Sequence, residues 1–357
     1  MQKTPFLNLT PAERTSFFIK SAEGSTLPPQ AVEKDWWVTR VLLAIRSLDY
    51  RDSVQFKGGT SLSKGWDLIS RFSEDVDLSV DRAFLGFPGE LSKNQVSDRL
   101  RRKAKEFILG RFYDDLPEAL ESAGIPRDSY RLSNNDNGVP TQDPVQIYID
   151  YESAFPTEGY ILPRVMLEIS GRSYEEAVSE TSIKSLMDER LPGNAFASSP
   201  FTVVTVEPER TFIEKVCLLH EEFNKSHGVI RSYRMSRHLY DLFMMCEKHI
   251  DEKALDNEEL FSGIVMHRFT YNRIDGVDYN TETPGRFNII PPDAIIDEWR
   301  KDYEDMKREM IYSKQKPTFD EIIARIYELN VQLNEMKWKK VPVFSPGAKP
   351  YLTDTEE

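Results

Sequence analysis

The chain has 357 residues, 39% hydrophobic and 29% charged, and its 59 acidic against 46 basic side chains give a net charge of −13. That balance fits a soluble globular protein of two subdomains or one elaborated domain, and it excludes attraction to nucleic acid by bulk charge; RNA or DNA binding needs a local basic patch. No apolar run reaches the length of a membrane span and the amino-terminal stretch lacks a signal-peptide core, so the cytosol is the expected location.

Residues 8–24 carry the signals of a capped helix, with Thr10 as N-cap, Pro11 at the first helical position and Glu13 at the third. After Pro28-Pro29, residues 30–47 form an amphipathic helix on Val38, Val41, Leu42 and Ile45, where Lys34 and Asp35 read as a solvated face or a local ion pair. Val54–Phe56 is β-prone, and Gly58-Gly59 breaks it. Thr60–Ile69 then has helical spacing at Leu62, Trp66 and Ile69. In the next stretch Val76, Leu78 and Val80 alternate with Asp75, Asp77 and Ser79. In a strand, both aspartates therefore share the face opposite the apolar row.

Residues 92–121 are helical and hold the basic run Arg99, Arg101, Arg102, Lys103 and Lys105, which is either a phosphate-binding patch or an exposed helix face. Residues 125–140 read as a loop. Two alternating strands follow at 145–151 and 164–170, with Asp150 and Glu168 on the polar sides, and a third strand spans 201–206. Beyond it the chain turns helical. The helix from Pro208 has a stripe of Phe212, Val216 and Leu219 with Lys215 off it. The helix at 232–249 places Arg234, His238 and Asp241 on one face, and Arg237 with Asp241 reads as an i,i+4 pair. Residues 270–292 are loop-rich, helices are expected at 293–311 and 319–335, and the last stretch is extended. The two cysteines, Cys217 and Cys246, sit in apolar helical contexts and read as buried free thiols; no cluster has zinc-ligand spacing. The resulting class is α+β, with a small mixed or antiparallel sheet. Residues 1–206 form a core with amino-terminal helices, 207–340 a helical domain and 341–357 an extended tail.

The chemistry lies in 54–81. Two carboxylates side by side repel, and a divalent cation relieves them; Mg²⁺ prefers one or two carboxylates plus substrate phosphates. A Gly-Gly turn feeding a helix presents backbone N–H groups which, with the hydroxyls of Thr60, Ser61 and Ser63, suit a triphosphate. Lys57 or Lys64 is placed to neutralise phosphate, but each reads first as a surface lysine. A third carboxylate, Glu168 or its rival Asp150, completes a two-metal clamp for in-line phosphoryl displacement. The reaction class is nucleotidyl transfer.

The stretch KGGTSLSKGWDLISRFSEDVDLSV resembles the first motif of the AbiEii/AbiGii toxin family, nucleotidyltransferases of the DNA polymerase β-like superfamily and toxins of type IV toxin–antitoxin systems. VEKDWWVTRVLL, RTFIEKVCLLHEEF, RHLYDLFMM and the segment 317–334 agree with it in the same order, so the likeness covers roughly residues 30–335. The resemblance implies a polymerase β-like core. It implies Asp75 and Asp77 as metal ligands, with Glu168 as the candidate third. It implies Ser73, Gly58 and Gly59 along the nucleotide phosphates, Lys215 on the triphosphate, and Asp241 as the acidic residue of a later helical motif. It further implies Mg²⁺ (or Mn²⁺ in its place) with an NTP substrate, and a cognate AbiEi-like, winged-helix antitoxin. The expected activity is transfer of NMP to RNA, at the tRNA 3′ acceptor end, in an abortive-infection system against phage. The basic run at 99–105 with Arg231, Arg234 and Arg237 is the expected RNA surface. The alternatives are transfer to a small molecule or a protein, or a non-catalytic binding module on the same fold.

Overall fold

Strand β1 (Val54–Lys57) and strand β2 (Asp75–Val80) form the centre of the sheet in the computed structural model, which describes residues 6–73, 75–89, 91–92, 95–156, 161–171, 177–225, 229–345 and 350–355. Further strands are β3 (Tyr130–Asn134), β4 (Val145–Tyr151), β5 (Arg164–Ser170), β6 (Val178–Ile183) and β7 (Phe201–Val206). Among the described residues they make a seven-stranded mixed sheet of order β3-β4-β5-β2-β1-β7-β6. β2 runs antiparallel to β1 and parallel to β5, and β1 runs parallel to β7. The alternation read at 75–80, 145–151 and 164–170 is the physical reason for this sheet. Val76, Leu78, Ile147, Ile149, Val165, Leu167 and Ile169 are buried, while Asp75, Asp77, Gln146, Tyr148 and Glu168 stay partly exposed.

The chain divides by compactness into residues 1–206 with 312–314, and residues 207–311 with 315–357. In the first unit α1 (Pro11–Ala22) begins with the expected capping box of Thr10 and Glu13. It packs on α2 (Pro29–Ser47), which also lies against β5 and β7. Trp37 of α2 stacks on Tyr151 with ring centroids 4.4 Å apart. After β1 comes α3 (Gly58–Lys64), which begins at the glycines and ends at Lys64, not at the expected Ile69. Gly65 and Trp66 both donate their N–H to the Ser61 carbonyl, Leu68 N–H closes onto Leu62, and Asp67 takes a left-handed φ of 51°. Leu62 and Ile69 are still buried, but from a turn rather than one helix face.

Other expectations in this unit are corrected. Residues 130–134, read as loop, form β3, an edge strand paired antiparallel with β4. Lys34 and Asp35 are buried rather than solvated, and Asp35 pairs with Lys64 at 2.5 Å, not with a local cation. The basic run lies on the π-helical turn at 95–100 and on α4 (Arg101–Phe107), a helical segment that passes Gly110 into α5 (Tyr113–Ser122). Arg102 pairs with Asp98 at 2.8 Å, Lys103 with Glu106 at 3.3 Å and Lys105 with Asp136 at 2.5 Å, so much of that charge is already partnered. Residues 93 and 94 of the expected helix lie outside the described residues. A short helix, α6 (Leu186–Arg190), follows β6.

The second unit is helical: α7 (Pro208–Phe223), α8 (Ser236–Cys246), α9 (Ile250–Asp256), α10 (Glu258–Tyr271), α11 (Ile296–Glu309) and α12 (Phe319–Glu335). Helix α7 is buried well beyond its expected stripe, Lys215 included. Helix α8 starts later than expected, because Arg234 has a φ of 60° and the Asp302 carboxylate accepts the Arg234 N–H at 2.5 Å and the Ser236 N–H at 3.0 Å. Arg234 is thus outside the helix and off the face of His238 and Asp241. Thr318 and Glu321 form a capping box on α12. The end of the chain pairs β8 (Lys340–Val343) with β9 (Tyr351–Asp354), while residues 346–349 and 356–357 of the expected tail lie outside the described residues. Cys217 and Cys246 are buried free thiols. Among the described residues no helix is long and apolar enough to cross a membrane.

Candidate active site

The register of β1 and β2 sets Lys57 opposite Asp77, so the turn that leaves β1 begins beside that carboxylate. Gly58 has a φ of +75°, and a Cβ built on it would lie 2.0 Å from Asp77 Oδ2. Both the left-handed backbone and the carboxylate resting on it require glycine here. A Cβ on Gly59 would meet Arg71 Nη2 at 2.8 Å and Ser73 Oγ at 3.2 Å. The turn is therefore held between Asp77 and the Arg71–Ser73 segment. Thr60 and Ser61 are placed differently from expectation. Both are buried; the Thr60 hydroxyl donates to the Asp75 carbonyl and the Ser61 hydroxyl to the Gly58 carbonyl at 2.8 Å. Through these hydroxyls they brace the turn against β2. Lys57 is half-buried at the end of β1.

Across β2, Asp77 is the register partner of Glu168 on β5, and Glu168 is the partner of Gln146 on β4. Gln146 Nε2 donates to Glu168 Oε2 at 3.1 Å. Asp75 lies beside Met166, one step along the same face. Asp150 is at the other end of β4, where the Arg164 guanidinium donates to its two oxygens at 2.5 and 3.2 Å. The register thus sets Glu168, not Asp150, alongside Asp77. Among the described residues no group of three or more His, Cys, Asp or Glu side chains is gathered to hold a metal by itself. The donors are nevertheless hard carboxylate oxygens. The Asp75–Asp77 pair above a turn without a Cβ suits a Mg²⁺ ion whose shell is completed by water and phosphate.

A cavity of about 380 Å³ lies on the other side of the turn, lined by Lys64, Arg71, Ser73, Lys184, Glu189 and Arg190 among others. Lys64, read as a surface lysine or a phosphate ligand, is fixed there by Asp35 and donates to the Lys184 carbonyl at 3.2 Å. Asp35 also accepts the Leu186 N–H at 2.7 Å, so one buried carboxylate ties α2, α3 and the start of α6 together. Burial and the nearby Asp35 charge raise the Glu189 carboxyl above its ordinary range. Arg71, Lys184 and Arg190 had no sequence signal as a group, since they come from separate elements; only the nearness of Arg71 to Asp75 pointed at it.

In the helical unit Lys215 Nζ lies 2.8 Å from Asp241 Oδ2 and 3.5 Å from His238 Nδ1. The two charges are buried together, so the carboxylate both compensates the ammonium and orients it.

A model of the nucleotidyl transferase AbiEii toxin family, type IV toxin–antitoxin system, matches residues 40–325. MenT4, a nucleotidyltransferase toxin from Mycobacterium tuberculosis H37Rv, is similar in fold, with a TM-score of 0.50 at 16% identity over 92% of this chain and 91% of that one. JHP933 from Helicobacter pylori aligns at a TM-score of 0.39 and 16% identity, over 87% of this chain and 91% of its own. No curated protein matches the chain.

Proposed function

The chain belongs to the AbiEii family of nucleotidyltransferase toxins of type IV toxin–antitoxin systems, and we propose that it transfers a nucleoside monophosphate from an NTP to RNA, at the 3′ acceptor end of tRNA. The observation that carries this reading is the Asp77 carboxylate seated on the Gly58 backbone, with Asp75 and Glu168 on the same sheet face. In this reading Asp75 and Asp77 hold Mg²⁺, or Mn²⁺ in its place, with Glu168 beside them as the third carboxylate of the site. The metal supplies charge neutralisation at the phosphates. The Gly58-Gly59 turn, Ser73 and Arg71 contact the phosphates of the NTP. Glu168 takes the proton of the attacking RNA hydroxyl, the new bond forms at the α-phosphorus, and the bond to the departing pyrophosphate breaks. Lys215, oriented by Asp241, is the further cation assigned to the triphosphate. The family implies an antitoxin partner; we assign it as an AbiEi-like, winged-helix protein.

The test is incubation of the protein with each of the four α-labelled NTPs, Mg²⁺ and total cellular RNA. Label in RNA, concentrated in the tRNA fraction, is expected. The net charge of −13 and the partnered basic run favour a second reading, in which the acceptor is a protein or a small molecule. Label only in protein or in small metabolites selects that reading. No label together with no NTP binding in calorimetry leaves a non-catalytic module.

A further inference from the structure

In-line displacement fixes where the two substrates lie: the hydroxyl arrives on the side of the α-phosphorus opposite the departing pyrophosphate. β2 divides the sheet in the same way. The Gly58-Gly59 turn and the cavity lined by Arg71 and Lys184 lie toward β1, β7 and β6, and Glu168 lies toward β5, β4 and β3. On that second side the partly exposed face carries a joined set of side chains. The Tyr148 hydroxyl donates to Gln146 Oε1 at 2.6 Å, and Gln146 Nε2 donates on to Glu168 Oε2 at 3.1 Å. The Arg164 guanidinium lies over the Tyr148 ring, 4.5 Å from its centroid, and Asp150 holds it there through two hydrogen bonds. The Arg164 side chain remains 40% exposed. Asp150, by sequence a rival for the third carboxylate, serves instead to flatten a guanidinium onto an aromatic ring.

A planar cation layered on an aromatic ring, with its outer surface open, is what an unstacked nucleobase packs against. The Tyr148 ring lies on β4, two strands from β2 and roughly 10 Å away by strand spacing, and Arg164 reaches it from β5. A terminal ribose held over Glu168 therefore places its base toward β4. We propose that Tyr148 and Arg164 seat the terminal nucleobase of the RNA acceptor, and that Gln146 is a positioning residue that orients the Glu168 carboxylate toward the attacking hydroxyl. This rests on the RNA-transfer reading above.

The test is steady-state kinetics of the full chain with total tRNA and a labelled NTP, varying each substrate in turn. Tyr148→Ala takes away the ring that holds the guanidinium flat, raises KM for tRNA about tenfold and leaves KM for NTP within about twofold of wild type. Tyr148→Phe keeps the ring and so restores KM for tRNA relative to Tyr148→Ala, while loss of the hydroxyl that holds Gln146 lowers kcat. Arg164→Gln, which removes the guanidinium from the Tyr148 ring, raises KM for tRNA in the same direction and decides the matter if Tyr148→Ala does not fold. Gln146→Leu lowers kcat and leaves both KM values in place. An unchanged KM for tRNA in both Tyr148→Ala and Arg164→Gln, or an equal rise in both substrates' KM, overturns the proposal alone. Absence of any RNA label with the wild-type protein overturns the RNA reading and the proposal with it.

Discussion

Three glycines separate backbone strain from contact with the site, and Gly58→Ala combines the two. A Cβ at 58 demands a left-handed φ of +75° from a residue that resists it, and it collides with Asp77 Oδ2 at 2.0 Å. The first effect is worth roughly 1–2 kcal/mol of stability. The second cannot be relieved without moving the Asp77 carboxylate by about an ångström, a displacement that costs on the order of 100-fold in rate. Gly24 has a similar φ of +74° with nothing within 4 Å of its Cβ position, so Gly24→Ala measures the strain alone. Gly59→Ala measures contact alone, against the ends of Arg71 and Ser73, which can shift. Thermal melts and α-labelled NTP incorporation are the assays. Gly24→Ala melts lower and keeps its activity; Gly59→Ala raises KM for NTP several-fold; Gly58→Ala melts lower and loses about 100-fold in kcat. A Gly58→Ala protein that melts like Gly24→Ala yet works at the wild-type rate refutes the placement of Asp77 in the reaction.

Two further outcomes follow from buried charge. Asp241→Ala leaves the Lys215 ammonium buried without its carboxylate and lowers stability by about 3–5 kcal/mol in a denaturant titration. The double change Lys215→Met with Asp241→Leu recovers stability but not transfer, and recovery of both assigns the pair a structural role only. His220 accepts the Asn288 N–H on Nδ1 at 2.9 Å, and burial pushes its pKa down to about 4. The folded state therefore keeps His220 neutral while the unfolded chain takes up a proton below about 6.5. Its contribution is complete above that pH and is lost as pH falls toward 4, by about 3 kcal/mol. Stability of the wild type falls more steeply over that interval than that of His220→Gln, and parallel curves contradict the assignment.

The legible parts of the fold are those set by local physics. The capping boxes at Thr10 and Thr318 are closed within one helical turn, and the strand at 75–80 announces itself by a period of two. The same alternation placed Asp75 and Asp77 on one face. Strand pairing is not local: nothing in 164–170 says that Glu168 will be the register neighbour of Asp77 while Asp150 faces Arg164. β3 was hidden because an edge strand with one partner needs no apolar row; Tyr130–Asn134 is largely polar and draws its order from β4. Charge misleads most. Asp35 and Lys64 are 29 positions apart and Lys215 and Asp241 belong to different helices, so each charge reads as solvated or locally paired until its distant partner is in view. The hydroxyls of Thr60 and Ser61 mislead in the opposite way, since residues suited to phosphate are used to brace the backbone beneath the carboxylates.

Metal-dependent nucleotidyl transfer at the Asp75–Asp77 face is tested most directly by Asp77→Asn, which keeps the shape of the side chain over Gly58 and removes its charge. Incorporation of α-labelled NTP into total tRNA is measured with Mg²⁺ for both proteins, and thermal melts check that both are folded. A wild-type protein that labels tRNA and a folded Asp77→Asn protein that does not is the result expected; equal labelling by the two contradicts a role for the Asp77 carboxylate in the transfer.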